Sequence, residues 1–452
     1  MRIVVSGIGK IGKTIISSLV AEGHEVIGID TDPEVVQEIT NLYDAMCVCG
    51  NGADCETLKE AEIEKVELFV SVAGSDELNM LSCFLARKMG AKHTIARIRN
   101  PEYNDNSLGF MREHLNLSFS INPEHLASHE LYRLLRFPGA AKVETFSGRS
   151  FELIEIVLKP ESALCGMALS DMRKQYDARV LVAAVLRGEE IFIPDGNFVL
   201  EAGDRVGIMS SHTELLKLFK LLGMVQKHAK SVMILGASKT AFYLAKRLLS
   251  AGIGVKIIEL DREKCVEFSN ALPGVHMICG DGASPELLQE EGISSTDAFV
   301  ALTGMDEENI LISFYASSHN VPKVISKVNR KEIAAIANKL GLDSIVSPRK
   351  MVSDVLTRYA RALENSVGSS VETLYRVMDD RAEVLEFNVG DEFEFVGQPL
   401  KSMALKENIL VAGIVRGKNA IVPSGDDVIL KGDKVIVLAE GMRLRDLADI
   451  ME

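Results

Sequence analysis

The sequence has no long apolar run and no excess of positive charge. It contains no stretch of about 18 consecutive apolar residues, the minimum for a membrane-spanning helix. Lysine and arginine total 50 against 64 aspartates and glutamates, for a formal net charge of −14. A nucleic-acid-binding protein usually has a basic excess or stripe, and anionic lipid headgroups repel an acidic protein. We therefore expect neither a nucleic-acid partner nor direct lipid anchoring.

Cysteine is sparse, and no secretion signal precedes the first strand pattern. The seven cysteines are scattered and odd in number. Cys47, Cys49 and Cys55 lie close together but lack the partner set of a tetrahedral zinc site. We expect reduced thiols, no metal site and a cytoplasmic location.

The motifs of common hydrolases are also missing. No H-E-x-x-H, G-x-S-x-G or P-loop pattern is present. His125 and His129 are four residues apart on a predicted helix, but two histidines without a third ligand are more often surface residues than a metal site. No separate catalytic domain with a proton-transfer group is apparent. We therefore expect a protein without catalytic residues.

The chain instead contains the same unit twice, and with 47% hydrophobic residues it can bury several cores. The segment beginning RIVVSGIGKIG at Arg2 matches SVMILGASKTA, which begins at Ser231. CGNGADCETL matches CGDGASPELL, and LFVSVAGSDELNML matches AFVALTGMDEENIL. Further on, VLVAAVLRGEEIFIPDGNFVLEAGDRV matches ILVAGIVRGKNAIVPSGDDVILKGDKV. Each match is offset by 229 or 230 residues, so the chain is a tandem duplication.

Each half has two parts. The first part alternates strand and helix signals, and the second part has short strands around turn glycines. The fold class is therefore α/β, a duplicated Rossmann-like, doubly wound parallel-sheet domain, each copy followed by a small α+β lobe. The predicted domains are residues 1–122 and 230–346 for the Rossmann-like domains, 139–224 and 367–452 for the lobes, and 123–138 and 347–366 for connecting helices.

The connecting helices start in the same way. Asn122-Pro123 and Ser347-Pro348 each pair a capping residue with a proline, which is typical of a helix start. In the second helix an apolar stripe recurs at spacings of three and four residues, formed by Val352, Val355, Leu356, Tyr359 and Leu363. The stripe indicates either ordinary core packing or a crossover helix that pairs subunits.

A dinucleotide-binding fingerprint lies at the start of the first half. The residues Gly7, Ile8, Gly9, Lys10, Ile11 and Gly12 form G-x-G-x-x-G between a strand and a helix, the context that the motif requires. Gly7 makes the tight turn, Gly9 lets backbone approach phosphate, and Gly12 permits close helix packing. The helix N-terminus offers N–H groups to the phosphates. Asp30 ends the next strand, where a carboxylate accepts ribose hydroxyls and repels a 2′-phosphate, so NAD or an adenosine nucleotide is favoured over NADP.

Further candidates lie where other strands end, the edge at which such sheets bind ligands. Asn51 and Asp54 follow the third strand, where adenine commonly lies, and residues 71–74 follow the fourth. Lys10 is either a phosphate contact or a solvated lysine. Arg97 lies in an apolar run and needs an anion, either a phosphate or a carboxylate such as Asp76 or Glu77.

The second copy of the loop departs from the fingerprint. It reads Gly236-Ala237-Ser238-Lys239-Thr240-Ala241, so only the first glycine remains. Ser238 places a side chain where backbone would approach phosphate, and Ala241 is a mild change. Glu259 still supplies an acid, and Lys327 is still cationic. This site is either empty, weaker, or suited to another ligand.

These motifs together resemble the RCK/KTN family, and in particular the cytosolic subunits of Trk-type potassium uptake systems. The resemblance covers essentially the whole chain and rests on GIGKIG, Asp30, VAGSDELNM, IARIRNPEY and RGEEIFIPDGNFVLEAGDRV. It implies a nucleotide-binding regulatory subunit that gates a membrane potassium uptake transporter of Trk or Ktr type from the cytoplasmic face. It also implies a homo-oligomeric ring, either a tetramer of tandem units or a dimer.

The resemblance further implies the ligand and its contacts. The ligand is NAD or NADH, with ATP or ADP as the alternative. A separate alternative for the function is an NAD-dependent oxidoreductase, which would consume the nucleotide. The implied contact residues of the first site are Gly7, Ile8, Gly9, Lys10, Ile11, Gly12, Asp30, Asn51, Asp54, Ala73, Gly74 and Arg97. For the second site we expect Gly236, Ser238, Glu259, Asp281, Thr303 and Lys327.

Overall fold

The structure is a computed structural model that describes residues 1–43, 45–101, 103, 105–137, 139–224, 229–365, 371–390 and 393–452. The chain divides into two compact units. The first comprises Met1–His129 with Ser347–Glu364, and the second comprises Glu130–Val346 with Asn365–Glu452. Within the described ranges, no helix combines the length and the apolar character needed to cross a membrane. The predicted boundary at residues 366 and 367 lies outside the described residues.

The first unit is built on a six-stranded parallel sheet. Its strands are β1 (Arg2–Ser6), β2 (Glu25–Asp30), β3 (Met46–Cys49), β4 (Leu68–Ser71), β5 (His93–Arg97) and β6 (Phe119–Ile121). The helices are α1 (Lys10–Ala21), α2 (Pro33–Leu42), α3 (Cys55–Glu60), α4 (Asp76–Lys88), α5 (Asp105–His114) and α6 (Pro123–Arg136), of which α6 continues into the second unit. The strand order β3-β2-β1-β4-β5-β6 is that of a Rossmann domain. All strands run parallel, and the order in which the chain adds them changes sides between β1 and β4. The four residues Ile3 to Ser6 are buried because helices cover both faces of the sheet.

The lobe after α6 is a five-stranded antiparallel sheet in the second unit. Its elements are β7 (Lys142–Phe146), β8 (Phe151–Val157), α7 (Leu169–Tyr176), β9 (Leu181–Arg187), β10 (Glu190–Phe192), β11 (Arg205–Ser210) and α8 (His212–Leu221). The strand order is β10-β9-β11-β8-β7. Of the turn glycines that the sequence predicted here, Gly203 has a positive φ angle (89°) and Gly196 does not, while Gly188 is a further turn glycine with a φ of 61°.

The second parallel-sheet domain repeats the first. Its strands are β12 (Ser231–Leu235), β13 (Gly254–Glu259), β14 (Val275–Cys279), β15 (Ala298–Ala301), β16 (Lys323–Lys327) and β17 (Ile345–Val346). Its helices are α9 (Lys239–Ser250), α10 (Arg262–Ala271), α11 (Pro285–Glu290), α12 (Asp306–Ser318) and α13 (Lys331–Lys339), and α14 (Pro348–Asn365) follows. The strand order β14-β13-β12-β15-β16-β17 matches the first sheet strand for strand. The duplicated, doubly wound fold predicted from the sequence is confirmed.

Helix α14 follows the second domain in sequence but is buried in the first unit. Val352, Leu356 and Ala360 are buried in the same apolar core as β1 and α1. Arg361 donates to the Glu22 carboxylate through Nε at 2.7 Å and Nη2 at 2.9 Å. The apolar stripe of this helix therefore serves core packing, and the core that it completes belongs to the first half of the chain.

The second lobe, within the second unit, repeats the antiparallel sheet and packs against the first lobe. Its strands are β18 (Val371–Val377), β19 (Ala382–Asn388), β20 (Ile409–Arg416), β21 (Asn419–Ile421) and β22 (Lys434–Glu440), in the order β18-β19-β22-β20-β21. One apolar core joins buried residues of both lobes. Glu155 accepts the N–H of Met378 at 3.1 Å, and Glu386 accepts the N–H of Ser147 at 2.8 Å. This reciprocal pairing relates the two lobes by an approximate twofold symmetry.

Candidate functional site

The glycine-rich loop joins β1 to α1 at the carboxyl edge of the first sheet. Gly7 has a φ of +92°, and a Cβ there would lie 2.6 Å from the backbone nitrogen of Ala73. A Cβ on Gly12 would lie 2.0 Å from the carbonyl oxygen of Gly7. The packing of the chain itself therefore requires both glycines. A Cβ on Gly9, in contrast, would meet nothing within 4 Å, so the space above this residue is open to a ligand.

The first turn of α1 is open as well. Gly9 occupies the N-cap position and provides no side-chain hydrogen bond to the helix. The N–H groups of the first helical turn lack acceptors within the helix, so they form an anion site together with the positive end of the helix dipole. The side chain of Ile8 is buried in the core, whereas Lys10 is exposed. Lys10 is therefore accessible at the loop, and both of its predicted roles, phosphate contact and solvated lysine, stay predictions.

Asp30 lies directly beside this loop. Its Oδ2 accepts the backbone N–H of Ile8 at 2.5 Å, and its Oδ1 accepts the N–H of Asp32 at 3.1 Å. Each carboxylate oxygen has lone pairs for a further donor. The carboxylate is thus oriented by the loop that would hold phosphate, in the position where a ribose would present its two hydroxyl groups.

In the loop after β3, the side chains of Asn51 and Asp54 accept hydrogen bonds from neighbouring residues of the chain, a role that the sequence did not predict. Asp54 caps α3 by accepting the N–H of Thr57 at 2.9 Å and its hydroxyl at 3.0 Å. These hydrogen bonds from Thr57 lower the pKa of the Asp54 carboxyl. Asn51 Oδ1 accepts the N–H of Ala53 at 3.0 Å. Both side chains therefore shape the loop itself, whatever contact they make with a ligand.

Asn79, a residue of the repeated segment LFVSVAGSDELNML, connects the ends of two strands. Its side chain is completely buried in α4. Its Nδ2 donates to the carbonyls of Ala73 at 3.2 Å and Arg97 at 3.0 Å, and its Oδ1 accepts the Ser71 hydroxyl at 2.9 Å. The signal was a polar residue repeated as Asn309 within an otherwise apolar stretch of helix. Asn79 is a positioning residue for the loop 73–74.

Arg97 is a buried cation that forms no ion pair with a carboxylate among the described residues, although the charges of Glu124 and Asp76 oppose the lowering of its pKa by burial. Its residue is 7% exposed, its Nη2 donates to the Ala73 carbonyl, and its Nε has no hydrogen-bond partner. Burial, followed by the charge of Arg99, lowers the pKa of Arg97. A buried donor that lacks an acceptor is costly, and an anion bound at the adjacent loop would relieve that cost.

The two carboxylates considered as partners for Arg97 have other roles. Asp76 accepts the N–H groups of Arg99 and Asn100, each at 2.8 Å. Glu77 accepts the hydroxyls of Ser75 at 2.5 Å and Tyr103 at 2.9 Å. These hydrogen bonds do not exclude a carboxylate partner, because the charges of Glu124 and Asp76 still oppose the burial that lowers the pKa of Arg97, so both alternatives for Arg97 stay predictions.

The second domain reproduces the acid but differs at the loop. Glu259 accepts the N–H of Ala237 at 2.7 Å and of Asp261 at 2.9 Å, as Asp30 does in the first domain. The Ser238 hydroxyl, however, accepts the N–H of Ala241 at 3.3 Å and so caps α9 itself. Ala241 is fully buried, and the helix accommodates its Cβ. A Cβ is therefore a mild change in this loop, although the first loop has no room for one at Gly12.

The other candidates of the second domain have partners within the chain. Lys327 Nζ donates to the Leu302 carbonyl at 3.3 Å. Asp281 Oδ1 accepts the N–H of Ala283 at 2.9 Å, and the N–H of Thr303 donates to Asn309 at 2.9 Å. Gly236 retains the turn, with a φ of +93°. The second domain thus has the scaffold of a nucleotide site in which the helix N-terminus is already capped.

The two histidines on α6 lie close together. The Nε2 atoms of His125 and His129 are 3.3 Å apart, and their rings are edge-on. In the part of the chain that the structure describes, no group of three or more histidine, cysteine, aspartate or glutamate side chains could hold a metal ion.

These features define a class of protein, a tandem nucleotide-binding protein with two Rossmann-like domains, each followed by an antiparallel lobe. The TrkA-N domain model matches residues 3–109 and 232–348, and the TrkA-C domain model matches residues 153–223 and 384–452. The chain belongs to the TrkA family.

Similar proteins agree with this assignment. The chain is 34% identical over 451 residues to the Trk system potassium uptake protein TrkA homolog of Archaeoglobus fulgidus, with 100% of both chains covered. It shares its fold with the crystal structure of the GsuK RCK domain, at a TM-score of 0.63 and 14% identity over 97% of this chain and 92% of that chain. The GsuK channel bound to NAD has the same TM-score and identity, over 97% and 77% of the two chains. The predicted resemblance to the RCK/KTN family is confirmed.

Proposed function

We propose that the chain is the nucleotide-binding regulatory subunit of a potassium uptake system. In this proposal it docks from the cytoplasmic side on a potassium-translocating membrane subunit of Trk or Ktr type. The observation that carries the nucleotide part is the convergence at one sheet edge of the uncapped α1 helix, Asp30 and the unpaired Nε of Arg97. The potassium part is supported by the relative in Archaeoglobus fulgidus, whose full length the chain covers and whose name places it in a Trk system.

The ligand in this proposal is NAD or NADH. Asp30 would accept the ribose hydroxyls, and the N-terminus of α1 with Arg97 would hold the pyrophosphate. NAD is also the ligand named for the GsuK channel structure. ATP and ADP are the alternative, because the same acid and helix N-terminus suit the ribose and phosphates of any adenosine nucleotide.

We further propose that the nucleotide is a signal and is not consumed. A ligand that contacts one conformation better than another shifts their equilibrium by its difference in affinity, and no chemical step is required. The two unlike loops would then give two classes of site. The tighter class would lie in the first domain, because Ser238 occupies a helix N–H of the second loop that the first loop leaves for phosphate.

Assembly into a ring of identical chains is part of the proposal. Leu81 in α4 and Leu311 in α12 occupy equivalent positions and are 49% and 67% exposed. Phe110 in α5 and Leu340 directly after α13 are both 63% exposed as well, although these two residues do not occupy equivalent positions. Large apolar side chains that are exposed at matching places in both domains suit contacts with further Rossmann-like domains, since such patches mark protein interfaces.

The test uses vesicles with and without the cognate potassium-translocating subunit. We expect the protein to bind only vesicles that contain the transporter, and we expect added NADH to change potassium flux at constant NADH absorbance. Strong binding to protein-free anionic vesicles would contradict docking through the transporter. If the protein docks but the potassium flux stays the same with NAD, NADH, ATP or ADP added, the proposal of gating would be contradicted. Loss of NADH absorbance with a candidate substrate would favour the oxidoreductase alternative.

A further inference from the structure

The second Rossmann-like domain carries two cysteines at the strand end that bears Glu259. Cys279 is the last residue of β14, and it is the register partner of Glu259 in β13. Cys265 lies on α10, which packs against β14. The Cys265 thiol donates to the Glu259 carbonyl oxygen at 3.4 Å. Both cysteines therefore lie beside Glu259, the residue that supplies the acid of the second candidate site.

The two thiols differ in accessibility. Cys279 is exposed, whereas Cys265 is buried. Burial, together with a hydrogen bond to Cys279, raises the pKa of the Cys265 thiol to about 11. A reagent in solution can reach the exposed Cys279 thiol, so this thiol reacts first. The buried Cys265 thiol can then react only with the sulfur of Cys279. This is the arrangement of an attacking cysteine with a resolving cysteine beside it.

The first domain lacks this pair. Cys49 ends β3 at the position equivalent to Cys279, but the place of Cys265 is taken by Val36. The Cys49 sulfur instead lies 3.9 Å from the carbonyl oxygen of Thr31. The dithiol is thus one of the features that distinguish the two halves, along with the Gly9 and Ser238 difference in the loops.

We propose that Cys265 and Cys279 are a redox-sensitive dithiol that closes to a disulfide when the protein meets a small-molecule disulfide. The Cys279 thiolate attacks one sulfur of the reagent R–S–S–R, forms a mixed disulfide and releases one R–S⁻. The Cys265 thiol then loses its proton and attacks the Cys279 sulfur, which releases the second R–S⁻. The two protein thiols lose two electrons and two protons, and the reagent becomes two R–SH molecules.

The disulfide would act on the second candidate nucleotide site, and this consequence rests on the proposed function. It would tie the first turns of α10 to the start of the loop Gly280–Asp281, next to the Glu259 backbone. The Glu259 carboxylate is held by the N–H groups of Ala237 and Asp261, so a shift of this strand end is transmitted to the glycine loop. We expect the weaker class of nucleotide sites to change in affinity and the tighter class to remain as it was.

The chemical proposal is tested on the full chain without nucleotide or transporter. The protein is incubated with oxidised glutathione, free thiols are alkylated, and peptides are mapped by mass. We expect a cross-link between the peptides that contain Cys265 and Cys279. The mass of the linked peptides should be two hydrogens lower than the summed mass of the two reduced peptides, and no glutathione should be retained. The matched control is Cys265→Val, which copies Val36 of the first domain and should retain one glutathione on Cys279. A glutathione adduct on Cys279 of the parent, at the level seen in Cys265→Val, would overturn the proposal.

A second measurement separates this inference from the proposed function. Calorimetric titration with NADH compares the oxidised parent, the reduced parent and Cys265→Val treated in the same way. A change of severalfold in the weaker class of sites, only in the oxidised parent, supports the regulatory consequence. A cross-linked protein whose nucleotide titration equals that of the reduced parent overturns that consequence. A protein that binds no nucleotide in either redox state contradicts the proposed function and leaves the mapped disulfide valid.

Discussion

The hydroxyl of Ser238 accepts a hydrogen bond from the backbone N–H of Ala241 at 3.3 Å, in the first turn of α9. Gly9 stands at the equivalent N-cap of α1 and offers no side chain. A helix N-terminus binds an anion through N–H groups that lack other acceptors. At the N-cap position where phosphate would bind, the duplicated domains therefore differ by one hydroxymethyl side chain, although the acid beside the loop is held in the same way in both.

Exchanging these residues should exchange the properties of the two loops. We expect Gly9→Ser to weaken NADH binding at the tighter sites about tenfold or more, which is about 1.4 kcal/mol for each factor of ten. The weaker class should remain. A Cβ at Gly9 meets nothing within 4 Å, so the melting temperature should not fall. The reverse change, Ser238→Gly, should tighten the weaker class. Titration calorimetry measures both, and a Gly9→Ser protein with unchanged affinities would mean that the ligand does not bind this loop.

A second prediction tests the role of Asp30 in nucleotide choice. Asp30→Ala removes a ribose acceptor and also the negative charge that repels a 2′-phosphate. We expect NADH affinity to fall about tenfold or more and NADPH affinity to fall much less or to rise. The comparison is necessary because Asp30 also holds the N–H of Ile8, so loosening of the loop alone would weaken both nucleotides equally. Equal losses would refute the ribose assignment.

Arg97 should be important for the ligand and unimportant for stability. Its Nε has no hydrogen-bond partner, and burial lowers its pKa, so the ligand-free fold gains little from the charge. We expect Arg97→Met to preserve or raise the melting temperature of the free protein while reducing the stabilisation that saturating NADH provides. Thermal unfolding with and without NADH measures both quantities. A large loss of stability in the free protein would show that Arg97 is structural.

The predictability of this fold and site from sequence depended on the range of the interactions involved. The duplication and the doubly wound parallel sheet follow from local sequence pattern, and the structure confirms both. Ser238 was interpreted as a steric obstacle, although serine is among the preferred N-cap residues and its capping bond was predictable. The bonds of Asn79 to two strand ends, and the burial of α14 in the core of the first half, depend on contacts between distant segments that periodicity does not specify.

The ion pair between Arg361 and Glu22 should be a strong structural contact of the first unit. The Arg361 and Glu22 side chains are 12% and 2% exposed, and the pair has two hydrogen bonds. Arg361→Ala removes two hydrogen bonds from a cation to the buried Glu22 carboxylate, so we expect it to cost about 3 to 5 kcal/mol. The control is the exposed pair of Lys59 and Glu56, where Lys59→Ala should leave the free energy of unfolding nearly unchanged because solvent screens the pair. Denaturant unfolding measures both, and equal effects would contradict the prediction.

The last prediction concerns Lys323 and the dependence of stability on pH. Its Nζ is buried in the second unit and donates to the Ala140 carbonyl at 2.6 Å and the Ser344 hydroxyl at 2.7 Å. Burial lowers the pKa of Lys323 from 10.5 to about 7, and the charges of Asp343 and Glu130 oppose that shift only in part. Between these two pKa values the unfolded chain binds the proton and the folded chain does not. The contribution of this lysine to the free energy of unfolding therefore rises with pH from about 7 to about 10.5 and is flat below pH 7.

Lys323→Met should remove that rise. Below pH 7 the folded protein must accommodate a buried ammonium group, so the variant should be more stable than the parent there by an amount on the order of a few kcal/mol. The difference should shrink as the pH rises towards 10. The Ser344 hydroxyl also lies 3.4 Å from the Ala140 carbonyl, so this acceptor keeps a donor in the variant. Denaturant unfolding of the parent and variant at pH 6, 8 and 10 measures the difference. A difference that stays constant across this range would show that Lys323 remains protonated in the folded protein.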